Sequence, residues 1–346
     1  MNNLALDIIV PVWNRPIETR NCLVNLVNFS PNARFIMVDN GSDRETERLL
    51  QEFAERLDDR ALLLRNDINQ GFVKALNRGL ERGAAECLAV VRSTSCVSAG
   101  WLEPLLEFSR LRTDAGLILP RLINAEPKKS PAHGHQAAPQ REVSCGSFAA
   151  MLIKKELYAK IGGFDEEMDG GLWCLRDYSR RACRAGFLTF SVSGGEVHYV
   201  DELMFGSAIR REETLQRAIS QFRQRWGGES SFCLIMPKGS DLAVMEQKLE
   251  VLLLGARQGN IFTVVPHAGL YREMVKAGYA SLHENIRVEP LPLFCTAARA
   301  HKILARLVSE RTDTLVVAGI DGITFAGVEN PLTFKELEER IRRVQC

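Results

Sequence analysis

The chain has 346 residues, 46% of them hydrophobic and 25% charged, with 44 basic against 43 acidic side chains. That composition excludes a disordered chain, because the apolar content is enough to offset the entropy of ordering. A net charge of +1 excludes a bulk electrostatic grip on nucleic acid or an anionic membrane, while leaving a local basic patch open. Residues 6–12 form an apolar run of buried-strand type, ended by Pro11 and the polar Asn14. Residues 17–29 put Cys22, Leu23, Leu26 and Val27 on one helical face. A strand at 35–38, a charged amphipathic helix at 44–57, a strand at 61–64, a helix at 72–83 and a strand at 87–91 follow. This alternation predicts a mostly parallel sheet with helices on its faces. Residues 124–141 read as a loop, 147–153 as a strand, 157–164 as a short helix and 172–186 as a helix. The last of these carries Arg176, Arg180, Arg181 and Arg184 on a polar side that reads as solvated. Strands at 187–192 and 196–200 and a long helix at 205–226 come next, the helix stopped by Gly227 and Gly228.

A second, smaller α/β pattern closes the chain. Its strands are expected at 232–236, 261–265, 286–288 and 314–317, and its helices at 242–258, 270–277, 297–309 and 334–344. Length favours two domains, and the glycines place the division so that 1–229 is one domain and 230–346 the other. Nine cysteines, no two closer than nine residues, give neither a C-x-x-C pair nor zinc-type spacing. With no secretory signal and no apolar run near membrane-spanning length, they read as reduced thiols in a cytoplasmic protein.

In open parallel sheets, ligands sit beyond the carboxyl ends of the strands. Four polar segments fall there: Pro11-Val12-Trp13-Asn14-Arg15, Asp39-Asn40-Gly41-Ser42, Asn66-Asp67-Ile68-Asn69-Gln70-Gly71 and Arg92-Ser93-Thr94-Ser95. Three are extended by further motifs. Asp43 continues the second, Phe72 and Ala75-Leu76-Asn77-Arg78-Gly79 follow the third, and Gly100-Trp101-Leu102 follows the fourth. Farther on come Gly162-Gly163-Phe164-Asp165-Glu166, Arg184-Ala185-Gly186-Phe187 and His198. In number, order and spacing this series resembles the family 2 glycosyltransferases, over residues 1–210. The resemblance implies a GT-A-like fold and inverting transfer of a sugar from a nucleotide-sugar donor to the hydroxyl of a glycan, lipid or protein acceptor. It also implies a divalent manganese or magnesium ion.

Onto this sequence it carries Asp39 as a nucleoside contact. A carboxylate there can accept from a uracil N–H or a ribose hydroxyl, or else cap its own turn together with Ser42. Pro11 and Asn14 would form the opposite wall, with Trp13 either a stacking face or a buried anchor. Asn69 and Gly71 precede a helix whose first N–H groups suit phosphate, or they simply start that helix, with Asn69 as its cap.

The two acidic motifs of the family are altered. Thr94 stands where the metal-binding aspartate is expected, and a hydroxyl is a poorer ligand for a hard cation. Cys174-Leu175-Arg176-Asp177 stands where the run containing the catalytic base is expected, so Leu175 replaces the base and only Asp177 survives. His198 is retained where a family histidine approaches the metal or the diphosphate; the other reading is a strand-end histidine. Two explanations follow. Arg92 supplies positive charge in place of a metal while Asp169 or Glu167 serves as base, or the domain binds nucleotide, sugar or a protein partner without transfer. His133 and His135 read as a solvated loop, and Pro237-Lys238-Gly239-Ser240-Asp241 as a turn capped by Ser240 or Asp241.

Overall fold

The structure, a computed structural model, describes residues 6–125, 140–169, 171–200, 208–311, 313–320 and 331–343. The expected pair His133 and His135, and the first residues of the helix expected from 205, lie outside the described residues. The elements run β1 (Leu6–Val12), α1 (Pro16–Phe29), β2 (Arg34–Asn40), α2 (Arg44–Leu57), β3 (Ala61–Asn66), α3 (Phe72–Glu81), β4 (Cys87–Val91), β5 (Cys96–Val97), α4 (Glu103–Leu111) and β6 (Ala115–Asn124). They continue with β7 (Gln140–Glu142), β8 (Ala150–Lys154), α5 (Lys155–Ile161), α6 (Leu172–Arg184), β9 (Leu188–Tyr199) and α7 (Ala208–Trp226). The remainder are β10 (Ser231–Met236), α8 (Leu242–Arg257), β11 (Ile261–Pro266), α9 (Ala268–Lys276), β12 (Ile286–Val288), α10 (Ala297–Ser309), β13 (Leu315–Ala318), β14 (Leu332–Thr333) and α11 (Phe334–Arg343).

The chain forms two compact units, Met1–Gln140 with Cys145–Trp226, and Arg141–Ser144 with Gly227–Cys346. In the first, strands lie in the order β3-β2-β1-β4-β8-β6-β9-β5. The β3-β2-β1-β4 half is parallel throughout, and β8 enters antiparallel to β4 and β6. This is a mixed α/β sheet of GT-A type. All seven residues of β1 are buried, which is why its sequence is nearly continuous in apolar residues rather than alternating. Helix α3 packs closely on β1 and β2. A Cβ at Gly79 would lie 2.5 Å from Ile9 Cγ2 and 3.1 Å from Val38 Cγ2.

Three features depart from the sequence reading. β5, α4 and β6 occupy a stretch to which the pattern gave no element, partly because Pro120 interrupts β6 and its pairing with β9 shifts register on either side. The strands expected at 187–192 and 196–200 are one strand, β9. Gly194 and Gly195, which read as a break, sit at φ +114° and +72° in a bulge: Leu119 pairs with Ser191, yet Arg121 pairs with Glu196. A side chain at Gly195 would collide with the backbone of Trp101.

The second unit is a five-stranded parallel sheet in the order β12-β11-β10-β13-β14. Its main core joins Phe232, Leu234, Met245, Leu252, Phe262 and Val264. Asp241, not Ser240, caps α8 by accepting from Val244 N at 2.9 Å. Residues 141–144 belong to this unit, where Glu142 bridges to His283 and takes a two-pronged ion pair from Arg257 at 2.6 and 2.8 Å.

Candidate active site

The loops at the carboxyl ends of β1 and β2 are tied together by one side chain. Asn14, at φ +56°, donates its backbone N–H to Ser42 Oγ at 2.9 Å, and its Oδ1 accepts from Asp43 N at 2.8 Å. Positive φ is costly for most residues, and Asn tolerates it best. Asp39 is 2% exposed. Its Oδ1 accepts from Ser42 N at 2.9 Å, and its Oδ2 pairs with Arg65 Nη1 at 2.7 Å. The capping alternative for Asp39 therefore holds, and the carboxylate also has a cationic partner on β3. Pro11 is buried within β1 opposite Val38, and Trp13 is half-buried.

The β3–α3 loop is organised by Asn40, a residue the sequence reading passed over. Asn40 is buried; its Nδ2 donates to Asn69 Oδ1 at 2.8 Å and Gly71 O at 3.0 Å, and its Oδ1 accepts from Asn66 Nδ2 and Gln70 N at 2.8 and 3.1 Å. A buried amide at a strand end needs such partners, and its burial shows only in the fold. Asn69 Oδ1 also accepts from Gly71 N at 2.9 Å, so Asn69 shapes the turn and does not cap α3. The cap position is Gly71, at φ +99°.

The anion at the start of α3 belongs to the chain itself. Asp169 Oδ2 accepts from Val73 N at 3.4 Å, and a side chain at Gly71 would collide with that oxygen. Burial pushes the Asp169 carboxyl up to about 6, against the lowering effect of the Val73 and Phe72 N–H groups. Asn77 of α3 holds the same segment. It donates to Phe164 O at 2.8 Å and Glu166 Oε1 at 3.1 Å, and accepts from Phe164 N at 2.9 Å. Two sequence motifs, 75–79 and 162–166, are thus one joint. Phe72, Phe148, Phe164 and Tyr178 continue it as an aromatic series.

Asp177, the surviving acid, is fully buried on α6. Its Oδ2 accepts from Arg181 Nε at 2.8 Å, and its Oδ1 from Arg225 Nη1 at 2.7 Å and Trp226 Nε1 at 2.9 Å. These contacts join α6 to α7. Of the α6 arginines, Arg184 is exposed as expected, but Arg176, Arg180 and Arg181 are not a solvated face. Arg180 is 7% exposed and lies over Phe222, Arg184 lies over Trp226, and Arg176 over Trp173. Leu175 and Cys174 are buried, and burial raises the Cys174 thiol far above its ordinary range.

The loop after β4 is a turn closed by Ser95 N donating to Arg92 O at 2.9 Å. Ser93 and Ser95 are buried, and Arg92 and Thr94 are half-buried. The Ser95 hydroxyl has no hydrogen-bond partner among the described residues. His198 lies on β9 opposite Cys96, and its Nε2 is 3.9 Å from Glu196 Oε2. These residues do not fit a hard divalent cation: the turn holds no carboxylate, and no group of three His, Cys, Asp or Glu among the described residues is placed to ligate one.

The first unit is a GT-A-like sheet with polar loops joined at the carboxyl ends of its parallel strands. Residues 7–162 match the model of glycosyl transferase family 2. The putative glycosyltransferase EpsH of Bacillus subtilis is 28% identical over 115 residues, 33% of each chain. Glycosyltransferase AglE of Haloferax volcanii is 28% identical over 101 residues, 28% of this chain and 33% of the relative. The chain thus matches about a third of the length of these curated relatives. Among solved structures it is similar to GalNAc-T7 with UDP, GalNAc and Mn2+, at 15% identity and TM-score 0.52, over 63% of this chain and 48% of that one. It is also similar to the mannosyltransferase PcManGT from Pyrobaculum calidifontis in complex with GDP-Man and Mn2+, at 16% identity and TM-score 0.49, over 65% of each. No helix among the described residues is long and apolar enough to cross a membrane.

Proposed function

We propose that the chain transfers a sugar from a nucleotide-sugar donor to an acceptor hydroxyl, with inversion. The observation that carries this reading is the cross-linking of the loops after β1, β2 and β3 by Asn14 and Asn40, within the region that matches the family. Three such loops, held against one another at the carboxyl edge of a parallel sheet, make a preorganised floor for a nucleotide. In this reading Asp39, Asn14, Pro11, Asn69 and Gly71 line the nucleotide. Arg92 and Thr94 face the diphosphate, with His198 marking the former metal corner. Arg92 replaces a dication as the charge that neutralises the leaving group. The similar solved structures named above contain Mn2+; this chain's residues favour transfer that does not need it.

Asp169 takes the acceptor proton. A carboxyl raised to about 6 is ionised at neutral pH yet basic enough to accept a proton as the new bond forms. Asp177, with both oxygens engaged, positions α6 and α7 rather than the acceptor. In this reading the first unit, Met1–Gln140 with Cys145–Trp226, is the transfer domain and the second unit a separate α/β domain. A reducing, cytoplasmic setting belongs to this reading. The acceptor is a glycan, lipid or protein.

A second reading, binding without transfer, is favoured by Leu175 at the expected base position. One experiment separates the two: thermal shift with nucleoside diphosphates, and hydrolysis of nucleotide sugars with EDTA or manganese, on wild type and Asp39→Asn. Stabilisation lost in Asp39→Asn, with hydrolysis indifferent to EDTA, is expected. Stabilisation without hydrolysis selects the binding reading. Hydrolysis abolished by EDTA and restored by manganese removes the role of Arg92, and no response to any nucleotide removes both readings.

A further inference from the structure

The second unit displays apolar side chains where folding gains nothing from them. After β12 the chain runs Glu289-Pro290-Leu291-Pro292-Leu293-Phe294-Cys295-Thr296 into α10. Leu291 is held: its N–H donates to Pro266 O at 2.9 Å, and its side chain packs near Ile235, Val265 and Leu304. The prolines on either side of Leu291 stiffen this anchor. Beyond it the next two side chains turn outward. Leu293 is 55% exposed and Phe294 is 87% exposed, the highest value among the large hydrophobic side chains of the described residues.

Helix α10 adds charge of one sign. Leu304 and Leu307 face the core, and Arg299, Lys302 and Arg306 recur three and four residues apart on an exposed face. From Pro290 to Ser309 there is no aspartate or glutamate. In a chain with 44 basic and 43 acidic residues, this is a local departure from balance. Thr296 caps the helix, its Oγ1 accepting from Arg299 N at 3.3 Å, so the apolar tip and the basic face are joined by an ordered turn.

We propose that this loop and helix dock peripherally on an anionic phospholipid surface, with Leu293 and Phe294 entering the headgroup–acyl boundary and Arg299, Lys302 and Arg306 meeting the phosphates. Two large apolar side chains beside a basic helix face is the pattern an anionic bilayer accommodates at once. An acidic protein surface would satisfy the charges but would not require a side chain as exposed as Phe294.

The test is co-flotation of the full chain with vesicles of phosphatidylglycerol and phosphatidylcholine, or of phosphatidylcholine alone, at low and high salt. Binding is expected only with phosphatidylglycerol and weakens with salt. The Leu293→Ser/Phe294→Ser variant and the Arg299→Glu/Lys302→Glu/Arg306→Glu variant should each lower the partition by about tenfold or more, with unchanged melting temperatures because every altered position is exposed. In Phe294→Trp the indole emission should shift to the blue on phosphatidylglycerol vesicles. Absence of flotation, flotation equal on both lipids, or flotation unaltered in both multiple variants overturns the proposal. So does a wild-type dimer that Phe294→Ser converts to monomer, which would assign the patch to a second copy of the chain.

Discussion

Asp169 and Val73, 96 residues apart in sequence, meet where a carboxylate oxygen accepts a backbone N–H at 3.4 Å. Helix α3 opens at a glycine with no capping side chain of its own, and helices leave their first N–H groups in need of an acceptor. Asp169 supplies it from the segment that Asn77 fastens to the same helix. An anionic ligand approaching the start of α3 therefore meets a carboxylate already in place, held by burial in a state less acidic than an ordinary aspartate.

That burial gives stability a pH dependence of known sign. The Asp169 carboxyl rises from 3.8 to about 6 on folding, so between those values the native state holds more proton than the unfolded chain. Its contribution is fully present below about pH 4 and is lost as pH rises through about 6. The loss is on the order of 3 kcal/mol at roughly 1.4 kcal/mol per pKa unit. Asp169→Asn removes this component while keeping an acceptor for Val73. Urea unfolding from acid to neutral pH should therefore show the wild type losing stability relative to Asp169→Asn. A difference between the two that is constant with pH would contradict it.

How much of this was legible in the sequence follows the physics of each part. The first four strands and three helices were readable because strands buried on both faces are continuous apolar runs and the helices between them carry apolar stripes. β6 and β9 were less so, because Pro120 and Gly194-Gly195 look like breaks when read locally, and only the partner strand turns them into a bulge. That Asp39, Asn69 and Gly71 shape their loops was legible from their positions at strand ends. Asn40 was not, because nothing local distinguishes a buried amide from a turn residue. The burial of Arg180 was illegible for the same reason: the aromatic rings that cover Arg180 and Arg184 come from α7, some forty residues on.

Asn77 should be the costliest single polar residue of the joint between α3 and the 162–166 segment. Asn77→Ala strands the buried N–H and C=O of Phe164 and should cost about 2–3 kcal/mol. Gly163→Ala attacks the same contact from the other side, since its Cβ would lie 2.5 Å from Asn77 Oδ1. Because both act on one contact, the double variant should cost clearly less than the sum of the two. Equilibrium unfolding of the three variants measures this, and strict additivity would show that the contact is not shared.

Asp177→Asn tests a positioning role against a catalytic one. Breaking a buried charge cluster by removing one partner costs about 3 kcal/mol or more, and here Arg181 and Arg225 lose their shared counter-charge while only one of the two acceptor oxygens remains. The expected result is lower stability, seen as a lower urea midpoint. Folded enzyme kept at low temperature should then have kcat within about tenfold of wild type. A stable variant with transfer reduced by a thousandfold or more, the range for a lost general base and its coupled steps, would assign Asp177 to the chemistry instead.

The second unit depends on four residues that arrive from far upstream in sequence. Glu142 and Arg257 form a two-pronged pair with Glu142 buried, beside His283, whose ring burial and the flanking Arg257 and Arg141 keep neutral by lowering its pKa to about 3. A histidine held neutral cannot replace the lost partner of Arg257. Glu142→Gln keeps the shape but removes the charge, and Glu142→Ala removes both. The expected costs are about 2 and about 4 kcal/mol, because taking the carboxylate from a half-buried guanidinium is expensive. Chemical denaturation followed by a probe in residues 227–346 measures each step, and equal costs for the two variants would argue that the charge of Glu142 is not what matters.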